Sequence, residues 1–168
     1  NGSHSAMAYI GAVAGLPVIA QCIGQPVLHR LVHGLMTHEI GPHLSRRDWP
    51  AYRDALLARF ANPELKHSVH QIATDSSQKI PQRWLATLAS QQAKGKRCPS
   101  ILTAISGWLC HIRGDNGFVD DPLAEVLKAT WAQAGAHGIS AALFSAGGIM
   151  ASGWAPSEAE LLEIERQL

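Results

Sequence analysis

Between Met7 and Ile23 the chain carries no charged residue, and that run limits what it can become. A membrane span needs roughly 20 apolar residues in a row. This stretch is shorter, is interrupted by Gly15-Leu16-Pro17 and contains the polar Gln21. A signal peptide would open on a basic segment, which Asn1-Gly2-Ser3-His4 is not. The run therefore reads as two short buried helices, residues 4–14 and 17–23, and it demands a core to bury them. A chain of 168 residues is long enough to supply one within a single domain. Its 46% hydrophobic and 16% charged residues exclude a disordered chain.

The pattern stays helical beyond that point. Pro26 occupies a first-turn position, followed by Val27, Leu28, Leu31, Val32, Leu35 and Met36 at helical spacing, until Gly41-Pro42 ends or kinks the helix. Asp48 is the expected N-cap of a helix whose inner stripe is Tyr52, Leu56, Leu57 and Phe60. Asn62-Pro63 restarts the pattern, with Leu65, Val69, Ile72 and Ala73 inward, and Pro81 is expected to stop that segment and open another. Trp84, Leu85 and Leu88 carry the next helix, and Ile101 to Ile112 is apolar enough to lie at the centre. After the turn Gly114-Asp-Asn-Gly117, Asp121-Pro122 forms an N-cap signature for a helix over 122–134. The signal weakens over 138–156. Ser157 with Glu160 then makes a capping box before a last helix, Leu161 to Leu168. No alternating strand pattern and no internal repeat interrupts this, so the fold class expected is all-α.

Charge excludes one partner class. The formal net charge is +1, and Lys94-Gly-Lys-Arg97 reads as a solvated loop rather than a nucleic-acid surface. Cys22, Cys98 and Cys110 form neither an even framework nor a CxxC pair, which points to a reducing, cytoplasmic setting. The chain has no initiating Met and its helical pattern begins at once, as expected of a piece of a longer protein or a cleavage product.

Two short segments carry chemistry. Asn1 and His4, at a helix start, lie about one turn apart. A neutral amide can donate to a developing alkoxide without a charge that must be desolvated, and an imidazole can exchange hydrogen bonds with a hydroxyl. Ordinary capping, with an Asn-Gly turn and Ser3 as the cap, is the alternative. In the second segment, Gln71, Asp75 and Lys79 fall on one face of a continuous helix. There Asp75 and Lys79 form an i,i+4 pair and Lys79 favours the helix dipole. The polar cluster 75–79 is expected to face a cleft or solvent. His38-Glu39 with His43 misses the zinc-protease spacing by one residue, and the pairs His29/His33 and His67/His70 lack an acid or Cys to complete a metal site. No GxGxxG, P-loop or GxSxG is present, so no means of holding a nucleotide is visible.

Residues 1–11 (Asn-Gly-Ser-His-Ser-Ala-Met-Ala-Tyr-Ile-Gly), 52–63 and 71–83 (Gln-Ile-Ala-Thr-Asp-Ser-Ser-Gln-Lys-Ile-Pro-Gln-Arg) resemble the C-terminal domain of the long-chain mannitol dehydrogenase family. That family includes fructuronate reductases and arabinitol dehydrogenases. Ile105 to Trp108 and Gly114 to Pro122 resemble its later helix and turn, and the likeness thins after His137.

The resemblance implies a helical fold like the 6-phosphogluconate dehydrogenase C-terminal domain, residues 1–168 forming one substrate-binding domain. It implies a separate N-terminal Rossmann domain that holds NAD or NADP, and metal-independent oxidation of a polyol or sugar acid. It places a general-base Lys just before the Asn-Gly-Ser-His motif, outside these residues. By the match, Asn1 stabilises the oxyanion, His4 orients the substrate, and Lys79 and Gln71 bind it. Ser76 stands where the family commonly has Gly, and Gln71 where mannitol-specific members favour Arg, a lean toward the fructuronate reductase branch. A sugar acid needs a cation for its carboxylate, for which Lys79 is the expected partner. The competing expectation is a helical interaction or dimerisation module without catalysis.

Overall fold

The computed structural model describes every residue except Ser45, Arg46, Asn116 and Phe118. Among the described residues there are helices and no strand, apart from an isolated antiparallel bridge between Val18 and Ser68. The expected all-α class is what the chain adopts.

Two helices form the centre. The first, α1 (Gly2–Val13), packs along α8 (Pro99–Arg113), and α2 (Ile19–Ile23) follows it after Gly15 turns the chain at φ +70°. Met7, Ala8 and Tyr9 are fully buried, so the charge-free run is a core helix and not a span. No helix among the described residues is long and apolar enough to cross a membrane. The approach to α8 is close because Gly107 has no side chain: a Cβ there would lie 2.3 Å from Ile10 Cγ1. On α8, Ile101, Leu102, Ile105, Trp108 and Leu109 are all buried, as the apolar run from 101 to 112 requires.

The start of α8 is held by a residue distant in sequence. After α3 (Pro26–Gly34), the chain widens into a π-helical turn (Leu35–Ile40) and a 3₁₀ turn (Gly41–His43), which is how Gly41-Pro42 ends the helix. That wider turn aims the buried Glu39 at α8. Its carboxylate accepts the backbone N–H groups of Ser100 at 2.7 Å and Ile101 at 2.8 Å, two donors that a helix N-terminus leaves without an intrahelical partner.

Helix α4 (Trp49–Ala61) begins after Asp48 as expected, but Asp48 makes no side-chain capping bond to it. It buries Leu57 and Phe60 only. Leu56 is half-buried and Tyr52 is 39% exposed, so the inner stripe is narrower than the spacing predicts. The largest departure follows. In place of one helix up to Pro81 there are two, α5 (Val69–Ala73) and α6 (Ser76–Ile80), separated at Asp75, whose φ of +50° is left-handed. Asp tolerates that conformation better than most residues. Pro81 opens a new helical element as expected, but without a break in the chain's helical course. The helix continues through a second π-helical turn (Pro81–Leu85), whose wider ring accommodates a nitrogen without a proton, into α7 (Ala86–Gln92).

Asp121 does not cap a helix at Pro122, because α9 starts later, at Ala124 (Ala124–Ala134). Gly114 and Gly117 take positive φ in the turn before it, with Asn116 outside the described residues. The C-terminal part is α10 (Ile139–Phe144), irregular chain, and α11 (Glu158–Glu165), which begins at Glu158 rather than Leu161. Its capping box forms: Ser157 Oγ accepts from Glu160 N at 3.3 Å and Glu160 Oε2 accepts from Ser157 N at 2.9 Å. The loop 94–97 is exposed, and the three cysteines are free thiols.

Candidate functional site

A cleft of about 680 Å³ opens where the start of α1 meets α6 and the π turn after it. Asn1, Asp75, Gln78, Lys79, Gln82, Arg83 and Thr87 supply its polar lining. Asn1 occupies the N-cap position of α1, yet its side chain makes no capping hydrogen bond, which leaves the amide to the cleft. Ser3 does not act as the cap, since helix is already present at Gly2. The π turn fixes this end of α1 twice. Trp84 Nε1 donates to Gly2 O at 3.2 Å, and Arg83 Nη1 donates to Ser5 Oγ at 2.5 Å.

Lys79 reaches the same cleft by a different route from the one its spacing predicts. Because the chain turns at Asp75, Gln71 does not share a helix face with Asp75 and Lys79, and no Asp75–Lys79 ion pair forms among the described residues. The ammonium instead donates back across the turn. It reaches Thr74 O at 2.5 Å, Ile72 O at 3.3 Å and Thr74 Oγ1 at 3.4 Å, neutralising the carbonyl end of α5. Burial, and then the neighbouring Arg83 charge, lower the Lys79 pKa, while Asp75 and Asp121 pull the other way. Gln71 is exposed and outside the cleft lining; its carbonyl accepts from Thr74 Oγ1 at 3.0 Å, so it braces the turn that Lys79 closes.

His4 leaves the cleft as well. One turn after Asn1, it packs against Phe60 with ring centroids 4.7 Å apart and against His67 at 5.5 Å. Its Nε2 is buried without a hydrogen-bond partner among the described residues. Burial, followed by neighbouring charges that include His67, Arg59 and Arg83, pushes its pKa down to about 4. The imidazole is therefore neutral at neutral pH, with one ring nitrogen unsatisfied. The structure thus brings Asn1 and Lys79 to one cleft, and leaves His4 and Gln71 outside its lining.

Three participants escape a reading of spacing. Arg83 lies beyond Pro81, where the helix was expected to end. Glu39 and Asp121 act on chain far away in sequence. Asp121 accepts from Ser76 Oγ at 2.6 Å, Ser77 N and Ser77 Oγ at 2.7 Å each, and Leu123 N at 2.9 Å. Those bonds outweigh its partial burial and lower its pKa. Ser76 also accepts from Trp108 Nε1 at 2.9 Å, so a hydroxyl at this position is part of the architecture.

The cleft's donors, three amides, two cations and the Thr87 hydroxyl, suit a small ligand rich in hydroxyl oxygens. They do not fit a dinucleotide, since no glycine-rich phosphate loop lies in the sequence. The Asn-Gly-Ser-His and Asp-Ser-Ser-Gln-Lys segments thus meet at one polar cleft in an all-α domain. Residues 1–149 match the mannitol dehydrogenase C-terminal domain model, and the chain belongs to that family. It is 36% identical over 152 residues to D-mannonate oxidoreductase of Escherichia coli, covering 85% of this chain and 31% of that protein. It is 38% identical over 135 residues to the uncharacterized oxidoreductase YeiQ of Escherichia coli, 76% of this chain and 28% of the relative. A mannitol 2-dehydrogenase of Pyrenophora tritici-repentis shares 36% identity over 141 residues, 79% of this chain and 25% of its own length. The solved ternary complex of Pseudomonas fluorescens mannitol 2-dehydrogenase with NAD and D-mannitol superimposes with a TM-score of 0.88. It does so at 23% identity over 99% of this chain and 35% of that one, which shows the fold. The chain spans about a third or less of the length of these relatives.

Proposed function

We propose that residues 1–168 are the substrate-handling C-terminal domain of an NAD(P)-dependent oxidoreductase. The reaction interconverts a polyol or sugar acid with its keto product, without a metal, in the cytoplasm. The observation that carries this reading is the convergence of Asn1 and Lys79 on one amide-rich cleft in a chain of this family. The relatives' names supply the reaction class. An N-terminal Rossmann domain would hold the coenzyme, which supplies the hydride acceptor when bound.

In this reading the chain's own residues prepare the alcohol. The Asn1 amide, not spent on capping, donates to the substrate oxygen as it gains alkoxide character. A preformed neutral donor stabilises that charge without reorganising. His4, kept neutral by burial outside the cleft lining, is proposed to orient the substrate indirectly, by packing the first turn of α1, which presents Asn1, against Phe60 and His67. Lys79, its ammonium bound to Ile72 O, Thr74 O and Thr74 Oγ1, forms the cleft wall against which the substrate would lie, and Gln71 braces that turn. The general base stands before Asn1 in the family pattern and is proposed to act from there.

The experiment is a kinetic comparison of the full-length protein with its Asn1→Ala variant on D-mannonate, D-altronate, D-mannitol and D-arabinitol, with NAD and with NADP. Turnover should fall by roughly a hundredfold or more with a smaller change in KM. Unchanged turnover removes Asn1 from the chemistry. Tight NAD binding by residues 1–168 alone would overturn the two-domain reading.

A further inference from the structure

Lys79 and Arg83 are the two cations of the cleft, and their situations differ. All three donors of the Lys79 ammonium have acceptors within the chain, at Ile72 O, Thr74 O and Thr74 Oγ1. The cleft's one described carboxylate, Asp75, favours the charged form of that same ammonium. Arg83 gives Nη1 to Ser5 Oγ and makes no ion pair with any described carboxylate. It is half-buried and lines the cleft, and among the described residues its remaining N–H groups have no acceptor. Half-burying a charge without a counterion costs desolvation free energy, which an anionic ligand would offset.

We propose that Arg83, rather than Lys79, reads a carboxylate on the substrate, and that sugar acids are therefore the class this cleft selects over neutral polyols. The inference rests on the oxidoreductase reading above. A guanidinium fork matches a carboxylate in two parallel hydrogen bonds, which an ammonium committed to backbone carbonyls cannot do. The Ser5 bond adds geometry. It ties the guanidinium to α1, the helix that presents Asn1, so the carboxylate and the reacting oxygen are held at a set separation. Between them, Gln78 and Gln82 supply neutral donors and acceptors for the intervening hydroxyls.

The test compares kcat/KM of the full-length protein for D-mannonate and D-altronate with that for D-mannitol and D-arabinitol. It uses the wild type, Arg83→Gln and Arg83→Lys. The wild type should favour the acids by roughly thirtyfold or more, the scale of losing one partner of a buried charge pair. That ratio should collapse in Arg83→Gln, through KM for the acids, and be partly retained in Arg83→Lys. A preference for polyols, or an equal loss on both classes in both variants, overturns the proposal. Should the variants fail to fold, inhibition of the wild type decides. Glycerate should compete with substrate and glycerol should not, and equal inhibition overturns the assignment. If no substrate turns over, the oxidoreductase reading itself falls. Calorimetric binding of D-mannonate by the wild type, lost in Arg83→Gln, would then still carry the carboxylate site, and absence of binding would overturn it as well.

Discussion

The carboxylate of Asp121 accepts both the backbone N–H and the hydroxyl of Ser77, each at 2.7 Å, across 44 residues of sequence. With its bonds to Ser76 Oγ and Leu123 N, this one side chain joins the start of α6 to the chain before α9. Helix α6 carries Gln78 and Lys79 into the cleft, so a residue outside the cleft lining sets where they stand.

Asp121→Asn should cost about 1–3 kcal/mol, because an amide presents one acceptor oxygen and brings donors with nothing to meet. Urea unfolding measures it. The folded Asp121 pKa is lowered from 3.8, so the wild-type contribution is present above that value and lost as pH falls through the folded one. The variant should lack that acid-side loss. A urea midpoint within error of wild type at neutral pH would show that Asp121 does not brace α6.

His4 sets a second pH window. In the unfolded chain the imidazole takes up a proton near 6.5, and in the folded protein only near 4. Between those values the unfolded state binds more protons, so stability falls as pH drops from about 6.5 to about 4 and is unaffected by this group above the window. His67, Arg59 and Arg83 neighbour it, and each opposes protonation. His4→Gln should flatten the urea-midpoint profile through that window. An unchanged slope would assign the pH dependence to other groups.

Glu39→Gln should destabilise by roughly 1.5–3 kcal/mol, the range for hydrogen bonds to a charged group. The substitution leaves one acceptor for the Ser100 and Ile101 N–H groups and buries a new NH₂. Hydrogen exchange should show those two amides opening faster than the middle of α8, and uniform exchange along the helix would contradict the capping role.

Gly107→Ala should cost about 1–3 kcal/mol through overpacking, since the added Cβ would sit 2.3 Å from Ile10 Cγ1. Ile10→Ala removes the clashing atoms, so the double variant should recover part of the loss. Strict additivity in that cycle would mean the helices do not meet there.

The all-α class, the buried run from Met7 to Ile23, the central helix near 101–112 and the capping box at Ser157 were legible because each rests on local periodicity or local hydrogen bonding. So were the residues of the cleft's two sequence segments. Their arrangement was not. A left-handed Asp75 breaks a pattern that reads as one helix, and a π-helical turn carries the chain through a proline that reads as its end. Both depend on partners distant in sequence: Asp75 N donates to Asp120 O at 2.9 Å, and Trp84 and Arg83 bond to α1. Spacing along the chain thus determined which residue types were available for chemistry. Only the tertiary structure decided that Lys79 spends its donors on Ile72 and Thr74, that His4 packs among rings, and that Arg83 has no ion-pair partner among the described residues. Hydrogen-bond satisfaction and burial are properties of what surrounds a side chain, and the chain brings those surroundings from far along its length.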